Sequence, residues 1–363
     1  MKQTTVSSVI PTIQLLESRT RIDQFLKPLI KAKVETASSI DGAYAALWHS
    51  IELLYSAGGK RLRSYMTLLV YQAYKNDSYE AIIPAAAAQE LLHLAMLIHD
   101  DIIDRDDFRY GIKNIHAQYL DIYRPFIADI EERRHYSQSS ALLAGDLLIA
   151  ESFVLVSQAD INPSAALAAQ QLLGNAIFRV IGGELIDTEA VFKGDTAAHP
   201  LTIAEQKTAS YSFVGPFLMG ATLAEAPDQQ KQLLNQLGTQ LGVAYQIRDD
   251  LMGVFGDESL TGKSTEGDIR EGKRTLLIEE FYRIATEKEQ TSFRATFGNI
   301  HATPSEIASV RQLLMTSGAK KSIEGMIIQY QKSCVELVEQ LDIEPASRQA
   351  FRELIDLCLQ REQ

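Results

Sequence analysis

The sequence predicts an all-α protein, a single domain over residues 1–363, and three observations lead to this fold class. Apolar residues recur at helical spacing along most of the chain, as in "LRSYMTLLVYQAY", where they fall at i, i+3, i+4 and i+7. Clear alternation of apolar and polar residues, which is typical of strands, appears nowhere. Only 10 prolines occur in 363 residues, which favours long uninterrupted helices. No Pro/Ser-rich linker divides the chain, so one large helical domain is the simplest interpretation.

The predicted helices follow one another along the chain. The segment "LWHSIELLYSA" is a helix that ends at the pair Gly58–Gly59, and "LRSYMTLLVYQAY" ends near "KNDS". The apolar segment that starts with "EAIIPAAAAQELL" runs to about residue 104. Further segments of helical length cover 140–159, 164–191, 203–226 and 229–255, and more helices follow residue 290. Two polar stretches, 105–139 and about 256–274, are predicted to be loops.

Charge and cysteine content restrict the partners and the compartment. A net charge of −12 argues against nucleic acid and anionic membranes as partners, so an anionic ligand needs local cations or metal ions. No run of 18 apolar residues occurs without a charge and the N-terminus has no signal-peptide stretch, so we expect no membrane span. Cys334 and Cys358 could pair, but their apolar helical surroundings favour buried free thiols and a cytoplasmic location.

Three carboxylates stand within five residues where one apolar segment ends, in "HDDIID" at 99–104. On a helix Asp100 and Asp104 share a face, and charges about 6 Å apart repel by roughly 2–3 kcal/mol at an effective dielectric of ~20. The helix dipole also disfavours anions at this end. The pattern therefore indicates a bound cation, and a solvated helix end is the alternative. Carboxylates without Cys or clustered His suit Mg²⁺ rather than Zn²⁺, and Mg²⁺ usually takes substrate phosphates as further ligands.

A second acidic pair, Asp249–Asp250, ends another apolar segment about 150 residues later, in "RDDLMG". Its fifth position is Gly253, so this cluster has fewer carboxylates than the first. We interpret the two clusters as two halves of one site. Together they predict a Mg²⁺ site that binds a phosphate-bearing ligand.

Basic residues are the expected partners of such a ligand. Lys60, Arg61 and Arg63 follow the glycine pair in "GGKRLRS", and glycines let an anion approach the backbone. Further cations stand near the acidic clusters: Arg109, Lys207, Lys263, Lys273 and Arg274. Each alone is more often a surface residue, but together they indicate two bound anionic groups. His93 lies two turns before Asp100 on the same face of the helix. It could be a core histidine or a residue that contacts the ligand.

The chain resembles the trans-polyprenyl diphosphate synthases over roughly residues 40–285. The resemblance is carried by motifs in order: "GGKRLR", "LLHLAMLIHDDIIDRDDFRYG", "LLAGDLL", "GGELIDTE", "KTASYSFVGP" and "YQIRDDLMGVFGDESLTGKSTEGDIREGKRT". It implies the isoprenoid synthase fold, a helical bundle around a central cavity, with helices continuing to residue 363. It also implies a homodimer that extends an allylic diphosphate with isopentenyl diphosphate. The last motif and the 105–139 segment are most similar to the geranylgeranyl and longer polyprenyl branch.

The resemblance also implies roles for residues at matching positions. Mg²⁺ is expected as three ions with substrate bound, with Mn²⁺ as an alternative, on Asp100, Asp104, Asp249 and Asp268. Asp101, Asp250 and Lys207 complete the catalytic set with these aspartates. Isopentenyl diphosphate is expected on Lys60, Arg63 and His93. The allylic diphosphate is expected on Arg109, Lys207, Thr208, Gln246 and Lys263, with Lys273 in the loop that closes over it.

Four positions depart from the family pattern. Tyr110 stands where the family commonly has a second arginine that helps to bind isopentenyl diphosphate, so that contact is lost or replaced. Ser64 replaces a proline, which we expect to have little effect. Glu184 replaces the glutamine of a Gly-Gln pair, and Gly253 replaces the last aspartate of the second motif. None of these changes removes a residue that is required for ionisation of the allylic diphosphate, so we expect an active enzyme.

Product length should depend on the helix that precedes the first acidic cluster. Ala88, Leu92 and Ala95 share one stripe of that helix, with Met96 beside it. Family members that stop at fifteen carbons often have an aromatic residue where this chain has Ala95. We therefore expect products of twenty carbons or more, with Leu92 or Met96 as the floor of the tunnel. Small residues at 85–88 leave a longer tunnel open.

Three rival functions fit parts of the pattern. A terpene cyclase of the same fold needs one diphosphate site, whereas "GGKRLR" with His93 indicates a second. A non-catalytic partner subunit would not need the intact aspartates, although loss of isopentenyl diphosphate binding through Tyr110 would favour it. A helical metal-binding protein without diphosphate chemistry would not need the set of lysines and arginines.

Overall fold

The computed structural model describes residues 13–75, 77–193, 197–256 and 265–359. These residues form two compact units. The first comprises the described residues up to Gln171 together with Met219–Ala226, and the second comprises Leu172–Leu218 together with those from Pro227 onward. The expectation of a single domain over residues 1–363 stays a prediction.

The first unit contains helices and one small hairpin. In chain order its elements are α1 (Leu15–Ser38), α2 (Gly42–Ala57), α3 (Leu62–Lys75), a 3₁₀ turn (Glu80–Ile82), α4 (Ile83–Ile103), β1 (Phe108–Arg109), β2 (Ile112–Lys113), α5 (Ile115–Ile122), α6 (Ile130–Ser157) and the first part of α7 (Pro163–Lys193). As predicted, α2 ends directly before the glycine pair and α4 ends at the first acidic cluster.

In the second unit, all regular secondary structure among the described residues is helical. Its elements are the rest of α7, α8 (Pro200–Ile203), a π-helix (Ala204–Val214), α9 (Gly215–Leu223), whose last residues belong to the first unit, α10 (Asp228–Phe255), α11 (Gly267–Glu271), α12 (Leu276–Ile284), α13 (Glu287–Arg294), α14 (Pro304–Thr316), α15 (Ala319–Glu339) and α16 (Pro345–Leu359). The predicted all-α class is confirmed. Cys334 and Cys358 are buried free thiols, as expected.

Small residues let α4 and α6 pack closely in the first unit. Residues 85–88 of α4 are four fully buried alanines, and α6 contributes Ala141, Ala144 and Gly145 to the buried side. A β-carbon at Gly145 would lie 2.1 Å from His99 Nε2, so any larger residue there would displace the His99 ring. This contact holds the end of α4, directly before the acidic cluster, against α6.

In the second unit, α10 packs on the π-helix through two glycines. A β-carbon at Gly238 would lie 2.9 Å from Val214 Cα, and one at Gly242 would lie 2.5 Å from Ala209 Cα. The two backbones are therefore in direct contact. As a result, the second acidic cluster at the end of α10 and the π-helix belong to one packed pair of helices.

The prediction that 105–139 is a loop is wrong over much of its length. It contains the hairpin, all of α5 and the first turns of α6. Side-chain caps start both helices, because the Asn114 side chain accepts a hydrogen bond from the Ala117 N–H and Asp129 accepts one from the Glu132 N–H. The two-residue strands are too short to show alternation. In the second predicted loop, 257–264 lie outside the described residues and α11 follows.

Two helical stretches, Glu80–Ile103 and Ile130–Ser157, are long and apolar enough to cross a membrane by length and composition alone. In the structure 72% and 44% of their most apolar windows are buried. Core helices pass the same test, so this is weak evidence for a span.

Candidate active site

The first acidic cluster occupies the last turn of α4 and its C-cap. Asp104 is exposed, and its N–H donates to the Asp100 carbonyl over 2.8 Å, so the two residues lie one helical turn apart. The Asp100 side chain is 22% exposed, whereas the Asp101 side chain is 2% exposed. Asp100 and Asp104 are therefore accessible to an ion, while Asp101 points inward.

Arg109, from strand β1, is bound to this cluster. Its Nε donates to Asp101 over 2.8 Å and its Nη2 donates to Asp100 over 3.1 Å. Burial raises the pKa of Asp101 to about 6, although the Arg109 guanidinium opposes the shift. These carboxylates in turn raise the pKa of Arg109, which stays charged despite its own burial. The predicted ligand of the allylic diphosphate thus also holds the acidic cluster in place.

The glycine pair leads into a basic segment, residues 58–63, that is held by one buried arginine. Arg61 has a left-handed backbone (φ 54°), and its side chain bonds the carbonyls of Gly58 and Tyr55 over 2.9 and 2.8 Å. It also bonds Asp23 over 3.0 Å and stacks on the Tyr55 ring at 3.9 Å. Arg61 is therefore a structural residue, and the prediction that it is one of the cations available to an anion is wrong.

The two flanking cations and a buried carboxylate complete this segment. Lys60 is exposed and Arg63 is partly buried in the first turn of α3. Glu90 on α4 is 4% exposed and accepts bonds from both the N–H and the hydroxyl of Ser64, over 2.9 and 3.0 Å. A proline at residue 64 has no N–H, so Ser64 makes a contact that the family's usual residue lacks. The sequence signal that could have identified Glu90 was a charged residue within an otherwise apolar helical segment.

His93 lies on α4 with three arginines around it. Burial lowers its pKa well below 6.5, and the charges of Arg63, Arg109 and Arg61 lower it further. The imidazole is therefore neutral. It can donate one hydrogen bond to an anion but cannot supply a positive charge.

In the second unit, the π-helix presents Lys207 to two carboxylates of α7. The Lys207 ammonium lies 2.7 Å from Asp187 Oδ2 and 3.0 Å from Glu184 Oε2. A β-carbon at Gly183 would lie 2.2 Å from the Lys207 backbone nitrogen, so glycine is required beneath this lysine. Asp187 was not among the predicted site residues, although its position three residues after Glu184 on one helix was a usable signal.

A chain of hydrogen bonds links the π-helix to the second acidic cluster. The Thr208 hydroxyl donates to Gln246 Oε1 over 2.5 Å, and Gln246 Nε2 donates to Asp250 over 2.8 Å. Burial, with Asp268 and Asp249 nearby, raises the pKa of Asp250 to about 7, while Lys273 opposes the shift. Asp249 itself is exposed. Thr208, Gln246 and Asp250 thus form one connected unit.

Asp268, on α11, lies beside the position where the second motif departs from the family. A β-carbon at Gly253 would lie 2.3 Å from Asp268 Oδ2. The Asp268 carbonyl accepts a bond from the Lys273 N–H over 3.0 Å. Asp268 therefore supplies a carboxylate near the place where an aspartate at residue 253 would stand.

The structure brings most of the predicted allylic set of the second unit around one small cavity of about 30 Å³. The predicted residues that line it are Lys207, Thr208, Gln246, Asp250 and Lys273. Lys263 lies outside the described residues. A larger open groove of about 700 Å³ in the first unit is lined by Tyr71, Asp77, Asp160 and Glu225 among others, and includes none of the predicted site residues.

Comparison with known proteins agrees with a site that binds diphosphates. Residues 44–314 match the polyprenyl synthetase family. A short chain isoprenyl diphosphate synthase from Methanocaldococcus jannaschii is 32% identical, covering 75% of this chain and 77% of the relative. A geranylgeranyl diphosphate synthase from Sulfolobus acidocaldarius is 31% identical over 76% of this chain and 79% of the relative.

Among solved structures, the geranylgeranyl pyrophosphate synthase from Corynebacterium glutamicum, complexed with isoprenyl diphosphate and magnesium, superposes with a TM-score of 0.87. The two chains are 28% identical, and the match covers 96% of this chain and 98% of that one. The helical fold and the aspartate motifs define a prenyltransferase with the isoprenoid synthase fold, as the sequence predicted. The chain belongs to the polyprenyl synthetase family.

Proposed function

We propose that this enzyme condenses isopentenyl diphosphate with an allylic diphosphate and makes geranylgeranyl diphosphate or a longer all-trans polyprenyl diphosphate. The observation that carries the proposal is the presence of two acidic helix ends, Asp100–Asp104 and Asp249–Asp250, each with basic residues in the same unit. Relatives named as geranylgeranyl diphosphate synthases support the product class.

The aspartates of both clusters suit a hard divalent ion. Asp100 and Asp104 are accessible carboxylates one turn apart, Asp249 is exposed, and Asp268 lies beside Gly253. We infer that these four residues would hold Mg²⁺, three ions with substrate present, and that Mn²⁺ could replace it. When bound, Mg²⁺ stabilises the negative charge of the leaving diphosphate.

The remaining site residues would bind the two substrates. Isopentenyl diphosphate would lie on Lys60, Arg63 and His93. The allylic diphosphate would lie on Arg109, Lys207, Thr208, Gln246, Lys263 and Lys273. The contact of Lys207 with Asp187 fixes its ammonium in one orientation, so little side-chain entropy is lost when a diphosphate binds.

The reaction requires stabilisation of the departing diphosphate and exclusion of water from the allylic cation. The allylic C–O bond breaks, and its electron pair leaves with the diphosphate. The double bond of isopentenyl diphosphate forms the new C–C bond, and a proton is lost to the departing diphosphate. Apolar residues of α4, including Leu92 and Ala95, would keep water from the cation. The small Ala95 and the alanines at 85–88 support a product of at least twenty carbons.

We also propose that the enzyme is a cytoplasmic homodimer. Four large apolar side chains lie along α7 at helical spacing and are exposed to solvent: Phe178 (80%), Ile181 (55%), Leu185 (67%) and Phe192 (87%). A stripe of this size is the expected contact for a second copy of the chain. The buried thiols of Cys334 and Cys358 are consistent with a reducing compartment. Neither nucleic acid nor a membrane is expected as a partner.

The direct test is to incubate the purified protein with Mg²⁺, labelled isopentenyl diphosphate and, separately, C5, C10 and C15 allylic diphosphates, and to size the products. A ladder that ends at C20 or beyond is expected. If a folded protein, checked by circular dichroism, elongates none of the starters, the proposal is wrong. The terpene cyclase and the non-catalytic subunit would then be the functions to test.

A further inference from the structure

Tyr110 occupies an unfavourable backbone position in the hairpin between β1 and β2. The two-residue turn has positive φ at both positions, 54° for Tyr110 and 77° for Gly111. Asn, Asp and Gly are the usual residues at the first position of such a turn, and a bulky aromatic residue there is strained. Strained residues persist only where the surrounding structure holds them and they cluster at active sites, so the contacts of Tyr110 are informative.

The Tyr110 ring lies on the glycine pair of the basic segment. A β-carbon at Gly58 would lie 2.7 Å from both Tyr110 Cγ and Cδ1. One at Gly59, whose φ is +105°, would lie 3.9 Å from the Tyr110 hydroxyl. The ring therefore follows the backbone of both glycines, and any side chain on Gly58 would displace it.

The hydroxyl of Tyr110 lies in positive surroundings. The charges of Arg63, Arg109 and Arg61 act on it, and the carboxylate of Glu90 acts in the opposite direction. Burial nevertheless raises the pKa of Tyr110, so the phenol keeps its proton and acts as a donor. The residue is 40% exposed, and within the described part of the chain no group forms a hydrogen bond with its hydroxyl.

We propose that Tyr110 is a substrate-binding residue whose hydroxyl donates a hydrogen bond to the diphosphate of isopentenyl diphosphate on the basic segment, residues 58–63. The inference rests on the function proposed above. The same hairpin places Arg109 on the first acidic cluster, so neighbouring residues serve the acidic and the basic parts of the first unit. A neutral hydrogen-bond donor beside this segment orients the diphosphate without adding charge.

The test is Tyr110→Phe, which keeps the ring on the glycines and removes only the hydroxyl. Loss of one hydrogen bond predicts a KM for isopentenyl diphosphate about 3- to 10-fold higher, with kcat and the allylic KM unchanged. The matched control is Tyr79→Phe, because Tyr79 donates to Glu17 over 2.5 Å in the same unit and does not touch the glycine pair. The control should change neither KM.

A Tyr110→Phe enzyme with an unchanged KM for isopentenyl diphosphate, or with an equal rise in both KM values, overturns the inference. Calorimetric titration of isopentenyl diphosphate into both proteins separates this failure from that of the proposed function. A wild-type protein that binds isopentenyl diphosphate but makes no product contradicts the proposed synthase alone, and the two Kd values then decide the role of Tyr110. A wild-type protein that does not bind it contradicts both.

Discussion

The carboxylate of Asp268 occupies the space beside Gly253, where a β-carbon would come within 2.3 Å of its Oδ2 atom. The glycine in the second acidic motif and the aspartate on α11 are therefore a matched pair. The glycine that appeared to weaken the second motif leaves the space in which the Asp268 carboxylate lies.

We expect Gly253→Asp to reduce kcat/KM by more than about tenfold, because the new side chain displaces Asp268. The paired exchange Gly253→Asp with Asp268→Gly should recover part of that loss, since one carboxylate is restored. Steady-state assays over a range of Mg²⁺ concentrations measure both effects. The control is Gly267→Ala, because nothing lies within 4 Å of a β-carbon there. Full activity of Gly253→Asp would contradict the pairing.

We expect Ser64→Pro to lower the free energy of unfolding by about 1–3 kcal/mol, because Glu90 loses two hydrogen-bond donors inside the protein. Residue 64 lies in the first turn of α3, where proline itself is tolerated. Ser64→Ala keeps the N–H and should cost less. Urea denaturation of the wild type and the two variants ranks their free energies of unfolding. Equal stability of all three would show that the hydrogen bonds from Ser64 to Glu90 do not stabilise the fold.

Stability should depend on pH through His93. Its pKa in the folded protein is lowered well below 6.5, so the unfolded chain binds a proton that the folded protein does not. The free energy of unfolding therefore falls as pH drops below about 6.5, by up to about 1.4 kcal/mol per pH unit for this group. His93→Gln should flatten the profile in metal-free buffer. Denaturation midpoints at several pH values test this, and parallel profiles for both proteins would contradict it.

We expect Glu184→Gln to lower the KM for the allylic diphosphate about 2- to 5-fold, because one carboxylate no longer competes for Lys207. Asp187 still holds the ammonium at 2.7 Å. Glu189→Gln is the control, since Glu189 lies on the same helix and pairs with Lys193 at 2.9 Å. A higher allylic KM for Glu184→Gln would show that the glutamate itself serves substrate binding.

We expect Leu92→Ala to make a longer product than the wild-type enzyme if Leu92 forms the tunnel floor. Leu91→Ala is the matched control, because Leu91 is equally buried on α4 but lies off the predicted stripe. Both variants should lose stability, by about 2–5 kcal/mol. Product sizing after exhaustive elongation separates them, and an unchanged length with Leu92→Ala would refute the floor assignment.

The sequence was sufficient to predict elements whose signals are local. The end of α2 at Gly58–Gly59 follows from glycine, and the carboxylates at the end of α4 follow from their spacing. Features that depend on tertiary contacts were not predictable. Burial of Arg61 requires Asp23, which lies 38 residues earlier, and the contact of Asp268 with Gly253 requires α11 to fold back on α10. Helix caps hidden in polar sequence, such as Asn114 and Asp129, made 105–139 resemble a loop.

Chain elongation can be tested by measuring, in one reaction with Mg²⁺ and a C15 allylic starter, the diphosphate released and the isopentenyl diphosphate consumed. A synthase releases one diphosphate for each isopentenyl diphosphate consumed, and chelation of Mg²⁺ should stop both. Release of diphosphate without consumption of isopentenyl diphosphate would contradict the proposed synthase and indicate a cyclase. If neither quantity changes with folded protein, the chain is not a synthase on its own.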